Sequence, residues 1–204
     1  MSKLCKLEKK YGGHVKGITP KVFSSHDKNR KRYPHEGGDR MNNDRYASLY
    51  EAYFDKYINE KIIIAEVGIL TGIGLAVWSD FFSQAKVYGF DIDLSNFDEN
   101  LENLKSLGAF KKALPIVNEM DQFVCNKSYL KTIFNENKID IVIDDGCHQR
   151  ASAIKTFNSF EPFLSKDYLY VIEDQDFTKK LIFQDRADLM VWSYKENITF
   201  ISPK

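Results

Sequence analysis

The chain has 204 residues, 43% of them hydrophobic and 14% aromatic, enough to fill one sizeable core. Its 29 basic and 29 acidic residues balance, but residues 1–45 hold 12 Lys/Arg against 5 Asp/Glu. A basic arm on an acidic body favours a phosphate-bearing small ligand over nucleic acid, which usually needs a basic domain face. A solvated tail is the alternative.

Cysteine usage points to a reducing compartment. The three cysteines Cys5, Cys125 and Cys147 are widely spaced and form no C-x-x-C pair, which argues against a disulfide framework and a structural zinc site. The N-terminus is polar and lysine-rich, unlike a signal peptide. Residues 62–79 approach the length of a membrane span, but Glu66 and three glycines interrupt them. We therefore expect a cytoplasmic protein without a membrane partner.

Residues 1–45 are expected to form a basic N-terminal arm, partly loop, followed by a single domain over 46–204. Gly12-Gly13, Pro20, Pro34 and Gly37-Gly38 interrupt this arm, which predicts a loop rather than a packed element. From residue 43 to 57, aromatic and apolar side chains recur every three or four positions. This spacing predicts a helix with one face toward the core.

The rest of the chain alternates between short apolar runs and helical patterns. The predicted strands are 62–67, 86–90, 114–117, 139–143 and 168–172. The predicted helices are 75–82, 97–107, 127–136, 150–160 and 177–186. Such alternation predicts a doubly wound α/β fold with a mostly parallel sheet. The last two runs, 189–194 and 197–202, flank a short Lys195-Glu196 turn and predict an antiparallel hairpin.

Two acidic clusters follow buried strands: Asp144-Asp145-Gly146-Cys147-His148 and Glu173-Asp174. Parallel strands deliver their carboxyl ends to one edge of a sheet, so we expect Asp145, Glu173 and Asp174 to converge there. Clustered carboxylates repel one another, and a cation such as Mg²⁺ or Mn²⁺ removes that penalty. Alternatively, Asp144 caps the next helix and Glu173 pairs with a lysine.

His148 directly follows the first acidic cluster. An imidazole exchanges its proton near neutral pH, which suits removal of a proton beside a cation. The neighbouring Cys147 raises the alternative of a Cys–His nucleophile, but adjacent loop residues usually point apart and no third orienting group is evident. We therefore interpret His148 as a candidate general base.

A glycine turn follows the first predicted strand. Glu66 lies near the end of that strand, Gly68 and Gly72 lie in the turn, and Asp91 ends the second strand 25 residues after Glu66. Glycines let the backbone approach a ligand, and a carboxylate at the second strand can accept both hydroxyls of an adenosine ribose. NAD is a rival ligand, although the third glycine of G-x-G-x-x-G would fall at Val77. A plain tight turn with a capping acid is the structural alternative.

Three motifs together resemble a known family. They are Gly89-Phe90-Asp91-Ile92-Asp93, Ile143-Asp144-Asp145-Gly146-Cys147-His148 and Tyr170-Val171-Ile172-Glu173-Asp174. They look like the signature of class I S-adenosylmethionine-dependent methyltransferases, and specifically of metal-dependent sugar O-methyltransferases of the mycinamicin and macrocin type. The resemblance covers residues 37–174. It implies a Rossmann-like, seven-stranded sheet with a C-terminal antiparallel hairpin.

The resemblance also implies residue roles. Metal ligands would be Asp145, Glu173 and Asp174; His148 would be the catalytic base, with Asp145 also catalytic. The residues expected to bind S-adenosylmethionine are Glu66, Gly68, Gly72, Asp91, Asp93, Glu119 and Asp144. At the end of the third strand the family usually shows G-D-Q. In the corresponding stretch 118–121, Glu119 would replace the aspartate of that pattern. Other departures are Cys147 where serine is usual, Ile73-Gly74 where Gly-Ser is usual, and Lys166-Asp167 where a Gly pair is usual.

The implied acceptor is a small sugar, and the basic arm suggests a nucleotide-linked one. The sequence does not decide between a monomer and a homo-oligomer. Alternatives are a catechol-type or other small-molecule methyltransferase, an NAD-linked oxidoreductase, and a non-catalytic S-adenosylmethionine-binding protein.

Overall fold

The structure, a computed structural model, describes residues 2–12, 46–174, 183, 185–194 and 198–204. The helix predicted for residues 177–186 lies outside the described residues except at three positions, and most of the arm lies outside them too. Among the described parts of the chain, no helix is long and apolar enough to traverse a lipid bilayer.

Seven strands form one sheet. They are β1 (Ile63–Val67), β2 (Lys86–Asp91), β3 (Ile116–Glu119), β4 (Ile139–Asp144), β5 (Leu164–Glu173), β6 (Leu189–Tyr194) and β7 (Ile198–Pro203). Their order is β3-β2-β1-β4-β5-β7-β6. Strand β4 pairs in parallel with β1 and β5, whereas β7 is antiparallel to both β5 and β6. The order 3-2-1-4-5 is that of doubly wound sheets, so the predicted α/β fold with its C-terminal hairpin is confirmed.

Six α-helices connect or flank the strands in the described residues. They are α1 (Lys3–Gly12), α2 (Ala47–Phe54), α3 (Ile73–Phe81), α4 (Ser95–Ser106), α5 (Lys127–Phe134) and α6 (Arg150–Phe160). Short 3₁₀ turns at Asp55–Tyr57 and Glu161–Phe163 extend α2 and α6.

Most predicted strand and helix boundaries agree with the structure to within two residues, and the first residues of two strands differ from the prediction for visible reasons. Strand β3 begins two residues later than predicted. The predicted strand began at Leu114 because this residue is apolar, but Leu114 is 56% exposed and precedes the strand. Strand β5 begins four residues earlier than predicted, because its first part includes the exposed pair Lys166 and Asp167 and lacks an apolar signal.

The chain divides into two compact units. The first comprises residues 1–61, 69–87 and 93–117, and the second comprises 62–68, 88–92 and 118–204. In the first unit, aromatic rings of α2 and α3 form a buried cluster, with Phe54 and Phe82 each packed against Trp78. Edge-to-face and tilted ring contacts of this kind add specific geometry to hydrophobic burial.

Helix α1 belongs to the packed part of the first unit. It packs on α3, with Leu4 and Tyr11 fully buried. Lys3 Nζ donates to the carbonyl of Phe81 at 3.1 Å, and the Tyr11 hydroxyl donates to the Asp80 carboxylate. The expectation of an unpacked arm is therefore wrong for residues 3–12, because a helical apolar spacing is hidden there among lysines.

The second unit contains the main core of the sheet and α5 and α6. Its buried cluster includes Val67, Phe90, Val142, Phe157, Phe160 and Ile172. Val67 is paired in register with Asp144, and Asp144 with Ile172. The loops that follow β1, β4 and β5 therefore leave the sheet at one edge, side by side.

Candidate functional site

The loop after β1 makes direct backbone contact with the loop after β4. Gly68 has φ +85°, and a Cβ atom there would lie 2.2 Å from the carbonyl oxygen of Asp145. The amide of Asp145 donates to the carbonyl of Val67 at 2.9 Å. The amide of Gly68 donates to the carbonyl of Phe90 at 2.8 Å. Only glycine satisfies both the left-handed backbone and this close approach.

Three predicted site residues come together at this edge. Asp145, His148 and Asp174 each offer a ligand atom, and these atoms all lie within 4.8 Å of one another. His148 Nε2 is 3.9 Å from Asp145 Oδ1, and the two side chains are 43% and 26% exposed. This group is therefore open to a small molecule or an ion from solvent.

Glu173 occupies a different environment from its neighbour Asp174. Its residue is only 2% exposed, and it lies outside the three-residue group just described. It is the last residue of β5, where it is paired in register with Ile198 of β7. Its predicted role as a metal ligand stays a prediction, and the structure instead brings His148 into the place beside the two aspartates.

Two residues of the group have an unusual backbone. His148 has φ +52° and Asp174 has φ +53°, in the left-handed region that costs free energy for residues other than glycine. Such conformations persist where the surroundings impose them, and they concentrate at functional sites. The strain at both positions marks the edge of β4 and β5 as a candidate site.

Asp144 is the buried last residue of β4 and directly precedes Asp145. It is 4% exposed, and its Oδ1 accepts a hydrogen bond of 2.7 Å from Gln122 Nε2. Burial raises the pKa of Asp144 to about 6, against the lowering effect of the hydrogen bonds from Gln122 and Gly146 and of nearby His148. Its carboxylate thus has well-defined partners inside the protein, and its contact with a cofactor stays a prediction.

Sequence reasoning missed Gln122. This residue is 8% exposed, and besides Asp144 it contacts Thr156 Oγ1 of α6 and the amide of Cys147. The sequence does carry a signal for it, since Asp121-Gln122 matches the last two letters of the G-D-Q pattern, two residues beyond Glu119. The Cys147 thiol lies 2.8 Å from Ser152 Oγ, so it has a partner on α6.

The ends of β2 and β3 carry further predicted cofactor residues. Asp91 ends β2, where its carbonyl accepts from the amide of Met120 and its Oδ1 accepts from the amide of Ile92, both at 2.7 Å. Glu119 ends β3 and is exposed. Glu66, in contrast, is 1% exposed within β1.

Gly72 and Asp93 lie in the first unit. Gly72 precedes α3 with φ +77°, and a Cβ atom there would lie 2.3 Å from the ring of Phe97. Asn100 of α4 donates to the carbonyl of Thr71 at 2.8 Å, which fixes the same turn. The carboxylate of Asp93 accepts from the amide of Ser95 and so supports the start of α4.

Comparisons with known proteins were made by sequence and by structure. No protein-family model matches the chain. The chain is 28% identical over 147 residues to 8-demethyl-8-α-L-rhamnosyl tetracenomycin-C 2'-O-methyltransferase of Streptomyces olivaceus, covering 68% of this chain and 35% of that protein. It is 27% identical over 132 residues to demethylmacrocin O-methyltransferase of Streptomyces fradiae, covering 61% of this chain and 30% of that protein.

Among solved structures, MycE methyltransferase of the mycinamycin biosynthetic pathway, in complex with Mg, SAH and mycinamycin VI, matches with a TM-score of 0.58. The identity is 23%, over 78% of this chain and 49% of that one. The fold is therefore that of the S-adenosylmethionine-dependent methyltransferases. The resemblance to sugar O-methyltransferases of the macrocin and mycinamicin type is confirmed by these relatives. The chain spans about a third of the length of the curated relatives it matches.

Proposed function

We propose that this protein is an S-adenosylmethionine-dependent O-methyltransferase that methylates a sugar hydroxyl and requires a divalent cation. The observation that carries the proposal is the convergence of Asp145, His148 and Asp174 at the carboxyl edge of the sheet. Relatives named as sugar O-methyltransferases, with the same fold in MycE, support this choice. The experiment that tests it is methyl transfer from labelled S-adenosylmethionine to a panel of sugars, nucleotide sugars and catechols.

The residues at this edge fit a divalent cation. Two carboxylates and an imidazole lie within reach of one ion, and carboxylate oxygens are the ligands that Mg²⁺ and Mn²⁺ prefer. We propose that Asp145 and Asp174 hold it, with Glu173, which precedes Asp174 in the chain, as the third acid. When bound, the cation lowers the pKa of an acceptor hydroxyl and orients it.

We propose that His148 accepts the proton of the acceptor hydroxyl. Its ring is 43% exposed, so a substrate oxygen can reach it. When the ring takes up the proton, the Asp145 carboxylate 3.9 Å away stabilises the resulting positive charge. The acceptor oxygen, relieved of its proton, would then be nucleophilic enough to take the methyl group that bound S-adenosylmethionine would supply, with the demethylated cofactor as the leaving group.

The cofactor is proposed to bind along the ends of β1, β2 and β3. Gly68 supplies a turn without a side chain, Asp91 the carboxylate for the ribose hydroxyls, and Glu119 an exposed acid near the adenine. For Glu66, Gly72, Asp93 and Asp144, a contact with the cofactor stays a prediction from the sequence. S-adenosylmethionine would supply an electrophilic methyl group there.

Replacing Asp91 with alanine is expected to weaken binding of S-adenosylmethionine or its demethylated product by roughly 30- to 150-fold, equivalent to about 2–3 kcal/mol, because a charge-assisted bidentate contact is lost. Calorimetry on the purified protein measures this directly. Asp98→Ala, which removes an exposed acid on α4, serves as the matched control. Equal affinity in Asp91→Ala and the control would remove Asp91 from the cofactor site.

We propose the class of acceptor from the positive charge of residues 1–45. Residues 1–45 carry a strong excess of Lys and Arg, which suits the diphosphate of a nucleotide-linked sugar. Because the described residues 3–12 form packed helix α1, deletion of the whole segment would remove part of the fold. Charge substitutions outside α1 are therefore the better test.

Replacing Arg30, Lys31 and Arg32 with glutamine is expected to raise the KM for a nucleotide-sugar acceptor and to flatten its dependence on salt, since screened charge contacts are lost. The KM for S-adenosylmethionine should stay unchanged. A control variant neutralises two exposed lysines of α5, Lys127 and Lys131. If both variants show the wild-type acceptor KM and salt slope, the arm has no part in acceptor binding.

A further inference from the structure

Gln122 connects three parts of the second unit through one buried amide. Its Nε2 donates to Asp144 Oδ1 at 2.7 Å and to Thr156 Oγ1 of α6 at 3.0 Å. Its Oε1 accepts from the amide of Cys147 at 2.9 Å. Both ends of the amide are thus used, and the side chain is 8% exposed, so its orientation is fixed by its partners.

The same amide also packs against the backbone of the loop 145–148. A Cβ atom on Gly146 would lie 1.9 Å from Gln122 Oε1, so the glycine allows the two groups to approach. On its other side the loop is held by the hydrogen bond from the amide of Asp145 to the carbonyl of Val67. His148, at the end of this loop, has φ +52°, a conformation that must be imposed by such contacts.

We infer that Gln122 is a positioning residue, which holds the loop 145–148 in the conformation that brings Asp145 and His148 to Asp174. Its amide supplies both the donor to Asp144 and the acceptor for the amide of Cys147, so one side chain joins the end of β4 to the loop. The inference rests on the proposed function, because its consequence for catalysis depends on the role of this group. The position of the loop itself can be measured separately.

The test uses Gln122→Met, which keeps the length of the side chain and removes all three hydrogen bonds. We expect Mn²⁺ affinity, measured by calorimetry, to fall about 10- to 100-fold, the usual effect of losing a group that orients a metal ligand. We also expect faster hydrogen exchange of the Cys147 amide, measured by NMR. Ser159→Ala is the control, because Ser159 is 1% exposed on α6 and its hydrogen bonds are with the amide of Asn126 and the carbonyl of Lys155, both outside the loop.

A second pair of variants addresses the contact with Gly146. Gly146→Ala should reproduce the loss of Mn²⁺ affinity, because its methyl group displaces the Gln122 amide. In Gln122→Ala/Gly146→Ala the smaller side chain makes room for that methyl group. The losses should therefore be less than additive, which is the mark of direct coupling.

The outcomes distinguish the positioning role of Gln122 from the proposed metal dependence of the enzyme. Faster Cys147 exchange and weaker Mn²⁺ binding in Gln122→Met, beyond the changes in Ser159→Ala, would support the inference. Unchanged Cys147 exchange would overturn it, whatever the activity. If the wild-type protein binds no Mn²⁺, the proposed metal dependence fails, and the exchange measurement alone then decides whether Gln122 positions the loop.

Discussion

Replacing His148 with alanine is expected to lower kcat by about 10²- to 10⁴-fold, the usual contribution of a general base. The exposed ring lies beside Asp145, where it can take a proton from an acceptor hydroxyl. Affinities for S-adenosylmethionine and Mg²⁺ should remain at the wild-type level. Steady-state kinetics and calorimetry on the same preparation measure both quantities.

The paired measurement also distinguishes a base from a ligand. His148 lies within the same 4.8 Å group as Asp145 and Asp174, so an imidazole ligand is a real structural alternative. A loss of Mg²⁺ affinity that matches the loss of kcat would make His148 a ligand. A kcat within a few fold of wild type would instead leave proton removal to water or to a carboxylate.

Removing the divalent cation is expected to abolish methyl transfer, because the clustered carboxylates would then repel the developing alkoxide instead of stabilising it. Dialysis against EDTA should eliminate turnover, and added Mg²⁺ or Mn²⁺ should restore it. Full turnover by protein whose metal content is verified as negligible would refute the metal requirement.

Substitution of the individual acids then locates the ligands. Asp145→Asn and Asp174→Asn should each weaken Mn²⁺ binding strongly, because both carboxylates lie in the group open to solvent. Glu173→Gln tests the third predicted ligand, which is buried at the end of β5. Asp167→Asn is the matched control, since its side chain is 78% exposed near the start of the same strand. Loss of binding in the control as well would point to an effect of net charge alone.

Much of the fold was predictable from local pattern. The apolar runs 62–67, 86–90 and 139–143 match β1, β2 and β4 to within a residue at each end, because strands buried on both faces are nearly continuous hydrophobic runs. Helix α6 was predicted at its observed boundaries. Helix α1 was missed because it has few apolar side chains, and only their packing on α3 identifies them as a buried helix face.

The candidate site was predictable where position along a strand determines position in space. Asp145 and Asp174 each follow a strand, and the register of β4 with β5 brings those strand ends together. The contrast between Asp174 and the buried Glu173 depends on the backbone conformation at the end of β5, which sequence does not reveal. The Asp121-Gln122 match indicates the position of Gln122 but not its role, because its partners lie 22 to 34 residues away along the chain.

The contact between Gly68 and Asp145 has a consequence for protein engineering. One way to seek a new acceptor specificity would be to graft an edge loop from another enzyme. Here the loop 145–148 lies directly on the backbone of Gly68 and on the amide of Gln122. A transplanted loop would therefore have to follow the same backbone path at its first two residues, so loop exchange in this protein requires grafting the loop together with its supports.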